Sequence, residues 1–139
     1  MGDARRVSED LRILLSDDGD AATGAYERLE NAAEAQGELF QCAPSVVSVI
    51  VAAITEGSIP PSNLPSALDV LGRIIAGHAA RSEVEIGNHD LREQCHSEAM
   101  KGYWSLLRVA LERDSFNAWQ VARDVLVVLD KQHSTRVLL

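Results

Sequence analysis

Apolar residues fall at helical spacing along almost the whole chain. Val7, Leu11, Leu14 and Leu15 stand at i, i+4, i+7 and i+8, one stripe of a helix running from about Ala4 to Leu15. Ser16-Asp17-Asp18-Gly19-Asp20 is a turn sequence whose last aspartate is placed to cap the next helix. That second helix carries Ala22, Ala25, Tyr26, Leu29, Ala32 and Ala33 on its apolar face. It is expected to reach about Gln36, with Gly37 as the stop residue. Leu39, Phe40 and Cys42 make a short apolar connector, and Pro44 opens a third helix, because the first turn does not need the missing N–H.

The third helix, residues 43–56, reads APSVVSVIVAAITE and is apolar on nearly every side. Its β-branched content also suits a strand. Its length between a proline start and Gly57 favours a helix, and a helix apolar all round is a central one. Ser58-Ile59-Pro60-Pro61-Ser62 is a stiff loop. A fourth helix from about Leu64 to Ala76 buries Leu64, Ala67, Leu68, Leu71, Ile74 and Ile75. Residues 77–88 form the longest interruption. A fifth helix begins near Asn88 or His89, with Leu91, Cys95, Ala99, Gly102, Leu106, Val109 and Ala110 in one stripe. Gly102 leaves two arrangements open, one long helix with a kink or two shorter ones. Asp114-Ser115 supplies a break and a cap. A sixth helix carries Phe116, Trp119, Ala122, Val125, Leu126 and Leu129 to about Lys131, leaving 132–139 as a tail that docks or frays.

The even-numbered helices start near residues 22, 63 and 115. The first interval is about 41 residues, and the second is similar once the 77–88 loop is counted as an insertion. A period near 40 belongs to the helical-hairpin repeats. The stretch Ala25-Tyr26-Glu27-Arg28-Leu29-Glu30-Asn31-Ala32, the following Gln36-Gly37-Glu38-Leu39-Phe40, the Ala43-Pro44 helix start and Gly102-Tyr103-Trp104-Ser105-Leu106-Leu107 resemble the short HEAT-like (armadillo-type) helical-repeat proteins of actinobacteria. The resemblance covers about residues 20–131. It implies a right-handed helical stack with a binding role, and it carries over no catalytic residue. The expected fold is all-α, a short right-handed α-solenoid of about six helices in one domain. Residues 1–19 form a capping helix, 20–131 the hairpins and 132–139 the tail.

Composition narrows the function classes. The apolar fraction of 46% with only 4% aromatic suits close helix packing, and 139 residues can bury one sizeable core. A formal charge of −8 argues against nucleic acid, whose phosphates need a basic surface. The charge is uneven: residues 1–40 carry a net −6 and residues 101–139 a net +2. A basic partner for the N-terminal part follows. Two cysteines, Cys42 and Cys95, make no disulfide framework and are expected as buried thiols in a reducing cytoplasm. The first fifteen residues are charged and amphipathic rather than a signal peptide, and the apolar run Val49 to Ile54 is far too short to span a membrane.

Candidate chemistry is sparse. His78, Glu83, Glu85, His89, Asp90, Glu93, Cys95, His96 and Glu98 cluster between residues 78 and 98. On a helix His89, Glu93 and His96 share a face, and Glu93/His96 form one Glu-x-x-His, the unit that di-iron bundles use twice. Only one such unit is present, so an ordinary polar face is expected and no metal or cofactor is assigned. A metalloprotein or enzyme using His89, Glu93 and His96 stands as the alternative. No G-x-S-x-G, G-x-G-x-x-G or G-x-x-x-x-G-K-[ST] occurs, and no catalytic residue is assigned. Glu27, Glu30 and Glu34 form an acidic stripe, which is a solvated face or a docking strip. Tyr103 and Trp104 are adjacent, so one belongs inside and the other is an exposed aromatic anchor. The helical core is the expected home of Trp104 and Trp119. The function expected is a non-catalytic protein-interaction module, and its concrete form is an immunity- or antitoxin-like protein that masks a basic partner.

Overall fold

Proline starts and glycine stops divide the chain into helices, as the apolar spacing requires. The computed structural model describes residues 4–16, 20–35, 38–39, 41–79, 87, 90–113 and 116–138. Among them lie seven helices: α1 (Ala4–Ser16), α2 (Asp20–Ala33), α3 (Ala43–Glu56), α4 (Leu64–Ala76), α5 (Leu91–Met100), α6 (Tyr103–Leu111) and α7 (Ala118–Leu138). Three two-residue strands, β1 (Glu34–Ala35), β2 (Glu38–Leu39) and β3 (His78–Ala79), complete the described elements. β2 lies between antiparallel β1 and parallel β3. The fold class is all-α.

Helices pack on chain neighbours and on helices two or three places away along the chain. α1 packs on α2, α3 on α4, and α6 on α7. α1 also meets α3, which meets α5 and α6, while α2 meets α4, which meets α7. α3 and α4 therefore sit in the middle of the contact pattern. Val46, Val47 and Ile50 of α3 and Leu68, Leu71, Ile74 and Ile75 of α4 are at most 1% exposed. α3 is nevertheless not buried on all sides. Ser45, Ser48, Val49 and Ala52 are exposed, because among the described residues no helix packs on that strip. The alternation of small and β-branched residues hides this face from a hydrophobicity count.

Backbone hydrogen bonds close the end of α3, and side-chain hydrogen bonds tie the N-terminal helices together. Gly57, at φ 72, ends α3 in the left-handed region, with Gly57 N–H donating to Ile54 and Ser58 N–H to Ala53. This is a Schellman closure. Buried Asn63 donates from Nδ2 to the Leu14 carbonyl at 2.9 Å, satisfying one of the last carbonyls of α1 from the start of α4. Arg28 of α2 donates from Nε to Asp10 of α1 at 2.8 Å, and Asp10 is 6% exposed. Tyr26 of α2 donates its hydroxyl to Asp69 of α4, which also accepts from Arg73 Nε at 3.0 Å.

Three expectations change, and the alternative left open at Gly102 resolves to two helices. The second helix stops at Ala33 rather than Gln36, because Glu34 and Ala35 pair with β2, and β2 pairs with the distant β3. Local propensity cannot report a partner forty residues away. The fifth helix is two, α5 and α6, separated at Lys101-Gly102. A Cβ on Gly102 would stand 2.3 Å from Val51 Cγ1 of α3, so the chain needs glycine at this crossing. The sixth helix starts at Ala118, after Asn117 at φ 60, and leaves Phe116 outside it at 50% exposed. Its backbone continues to Leu138, so residues 132–138 extend the helix instead of forming a separate tail. The proposed cap at Asp114-Ser115 and the start at Asn88 or His89 lie outside the described residues.

Ile50→Asp would place an unpaired carboxylate at a fully buried site. It should cost several kcal/mol, about the whole stability of a small domain, and abolish the cooperative melt. Gly102→Ala should destabilise by about 1–3 kcal/mol through overpacking. Val51→Ala in the same chain should recover much of that loss. Denaturant midpoints of the two single variants and the double variant measure the coupling; additive losses would contradict the contact.

Candidate functional site

The helix break at Gly102 creates a short helix with unusual exposure. α6 begins directly after the crossing with α3 and has nine residues. Leu106 and Val109 face the core. Ser105 donates to Thr55 Oγ1 of α3 at 3.1 Å, and Arg108 donates from Nη2 to the Ile54 carbonyl at 3.3 Å. On the opposite flank the Tyr103 hydroxyl donates to Asp130 Oδ1 of α7 at 2.8 Å. α6 is thus held from two sides. Its outward stripe is Trp104 at 77% exposed, half-buried Leu107 and Leu111 at 75%. The Trp104 ring meets Tyr103 edge to face, 5.7 Å between centroids and 87° between planes. Such pairs carry about 0.5–1.5 kcal/mol beyond the area they bury.

The adjacent aromatics therefore divide as their neighbourhood in sequence requires, with Tyr103 partly inside and Trp104 out. Trp104 does not enter the core, contrary to expectation, because Leu106 and Val109 already fill the inward face of a one-sided helix. Trp119 is half-buried, with the Arg113 guanidinium 4.0 Å from its ring centroid, a cation–π contact. The hydrogen bond to Asp130 is the main cause that holds the Tyr103 phenol above its ordinary pKa.

The acidic stripe is less coherent than its sequence spacing suggests. Glu27 is exposed on α2, and Glu30 lies one turn on in the same helix. Glu34 belongs to β1, so the helical phase that aligned it with the other two ends at Ala33. The polar cluster is also divided. His89, Glu83 and Glu85 lie outside the described residues. On α5, Glu93 is exposed in the first turn while His96 is 4% exposed. The two residues of the Glu-x-x-His unit therefore face different environments. Among the described residues, no three His, Cys, Asp or Glu side chains gather closely enough to share a metal ion.

Cys95 is fully buried on α5 and Cys42 partly buried before α3. Burial, with lesser effects of Cys42 and Glu98, pushes the Cys95 thiol up to about 12. A thiol at that pKa has almost no thiolate at neutral pH and is a poor nucleophile. Among the described residues, no helix is long and apolar enough to cross a membrane. No known protein family, no curated protein and no solved structure matches the chain.

Two measurements follow. A thiol reagent at pH 8 should modify Cys42 at once and Cys95 only as the protein unfolds. Equal native rates for both would contradict the burial of Cys95. Tyr103→Phe should lower stability by about 1 kcal/mol at neutral pH. The raised phenol pKa makes this contribution full below the ordinary tyrosine value, about 10, and lost as pH rises through the folded value. The difference between wild type and Tyr103→Phe should therefore be flat from pH 7 to about 10 and shrink above it. Urea midpoints across that range provide the check.

Proposed function

We propose that this chain is a non-catalytic protein-interaction module built as a short right-handed stack of HEAT-like helical hairpins. The order of helix contacts supports the stack: α1–α2, α3–α4 and α6–α7 pack as hairpins, and α1–α3–α5 and α2–α4–α7 are in contact in turn. The observation that carries the binding role is Trp104, 77% exposed on a helix tied to both α3 and α7. An aromatic residue held outward by a fixed frame loses little freedom on binding, and such residues dominate interface energetics.

The charge of −8 suits a basic partner, with the acidic N-terminal part steering its approach. Glu27 and Glu30 belong to that steering field, and Glu34 adds charge to it without sharing their helical stripe. Tyr103 and Trp104 supply the short-range contact. An immunity- or antitoxin-like protein that masks a basic partner is the concrete form of this reading. Cytoplasmic location fits it.

The test begins with a partner co-purified from producing cells and then prepared pure. Trp104→Ala should weaken binding by about 2 kcal/mol, roughly thirtyfold, mainly by faster dissociation. The Glu27→Lys, Glu30→Lys, Glu34→Lys variant should fold normally but associate about tenfold more slowly at low salt. If neither variant changes binding, both surfaces are wrong. Protein purified without a tag should carry no stoichiometric metal. About one equivalent of iron, manganese or zinc kept through dialysis and lost in His96→Ala would favour the metalloprotein alternative.

A further inference from the structure

On α6 the exposed apolar residues are interleaved with arginine. Trp104, Arg108 and Leu111 stand at i, i+4 and i+7, one face of a helix, and all three are exposed. Arg108 is fixed in place, because its Nη2 donates to the Ile54 carbonyl of α3 at 3.3 Å. A guanidinium offers five N–H donors, so most of those on Arg108 stay open. Arg113, just beyond the end of the helix, lies with its guanidinium 4.0 Å from the centroid of the Trp119 ring. Among the described residues neither guanidinium pairs with a carboxylate, although exposed Glu112 stands between them in the chain. Lys101, one turn before Trp104, is bonded to Glu98 at 3.0 Å, so its charge is offset within the chain.

The chemistry, shape and isolation of this face select what seats on it. Two guanidinium groups without a carboxylate, beside exposed tryptophan and leucine, match carboxylates set next to apolar side chains. Trp104, Leu107 and Leu111 stand three and then four residues apart, the spacing of a seam along which a second helix packs. The seam is short, about 12 Å or two turns. It is also surrounded by charge of the other sign. Residues 1–40 carry −6 and residues 41–100 carry −4, a net −10, against +2 for residues 101–139. A broad polyanion, such as an acidic membrane or a nucleic-acid duplex, meets that −10 when it meets α6. A narrow acidic helix does not.

We propose that the α6 face binds an acidic amphipathic helix of a partner protein, with apolar side chains of that helix on Trp104 and Leu111 and its carboxylates on Arg108 and Arg113. The proposal rests on the reading of Trp104 as a contact anchor and gives the chemistry of what it meets. It makes the partner two-signed, basic opposite the N-terminal part and acidic where it meets α6. A chain whose own charge changes sign along its length fixes the orientation of such a partner. The contact is at the low end of interface sizes, so the acidic helix alone binds weakly.

Three synthetic peptides of about fourteen residues test this. Each carries leucines along one helical face and lacks tryptophan and tyrosine; they differ in having glutamate, glutamine or lysine at the flanking positions. Each is titrated to about 0.3 mM against the full Trp119→Phe chain at low salt, with Trp104 emission as the signal. The glutamate peptide should bind about fivefold more tightly than the glutamine peptide, the gain that two exposed ion pairs supply. The lysine peptide should bind most weakly. Arg108→Gln with Arg113→Gln should erase the preference for glutamate and leave binding of the glutamine peptide unchanged, which also shows that the variant is folded. A lysine peptide that binds as tightly as the glutamate peptide, or no binding by any of the three, overturns the proposal. Tighter binding to vesicles of phosphatidylserine and phosphatidylcholine than to the glutamate peptide also overturns it, because the face is then a membrane contact. The interaction reading stands or falls separately, on partner binding by Trp104→Ala.

Discussion

The contact of Gly102 with Val51 is the constraint on which the C-terminal half depends. With only 2.3 Å between an added Cβ and Val51 Cγ1, the chain can cross α3 here only without a side chain. The crossing interrupts what the apolar stripe would otherwise make one helix of about twenty residues. Its first part, α5, lies along α3 and also reaches α4. Its second part, α6, is redirected onto α7. Without the break, residues 103–111 would continue the phase of α5, and Tyr103 would not be set against Asp130 of α7.

The same break explains how exposure and rigidity occur together. A nine-residue helix is too short to be stable alone. α6 is ordered by its neighbours: Leu106 and Val109 bury their side chains, Arg108 reaches the end of α3, and Tyr103 reaches Asp130. Its outer stripe is left to solvent because none of those anchors lies on it. The N-terminal pair α1 and α2 is tied differently, by the mostly buried Asp10 bonded to Arg28 and by Asn63 holding the end of α1. These polar ties set the geometry of one end of the molecule. Packing around a single glycine sets the other.

Periodicity made most of the helices legible. The stripes of α1 and α4 were readable because one buried face gives one clean spacing, and Pro44 with Gly57 bounded α3. What depended on distant pairing was not readable. Glu34 leaves α2 because β2 is held by residues 78–79, and no local signal marks that. Gly102 signalled a weak point but not its cause, since Val51 is about fifty residues earlier in the chain. At the candidate site, the adjacency of Tyr103 and Trp104 was enough to require that one point outward. Which one did so was decided by Asp130 and by the crowding inside α6. Glu27, Glu30 and Glu34 looked equivalent because helical phase was assumed to continue past Ala33.

The central claim is that Trp104 is an anchor held outward by a fixed frame. Time-resolved fluorescence anisotropy of Trp104, as the sole tryptophan of a Trp119→Phe chain at low micromolar concentration, examines that claim without needing a partner. The account predicts a decay dominated by tumbling of the whole molecule, with only a small sub-nanosecond component. A decay dominated by fast local motion would mean that neither Tyr103 nor α6 holds the ring, and would contradict the account.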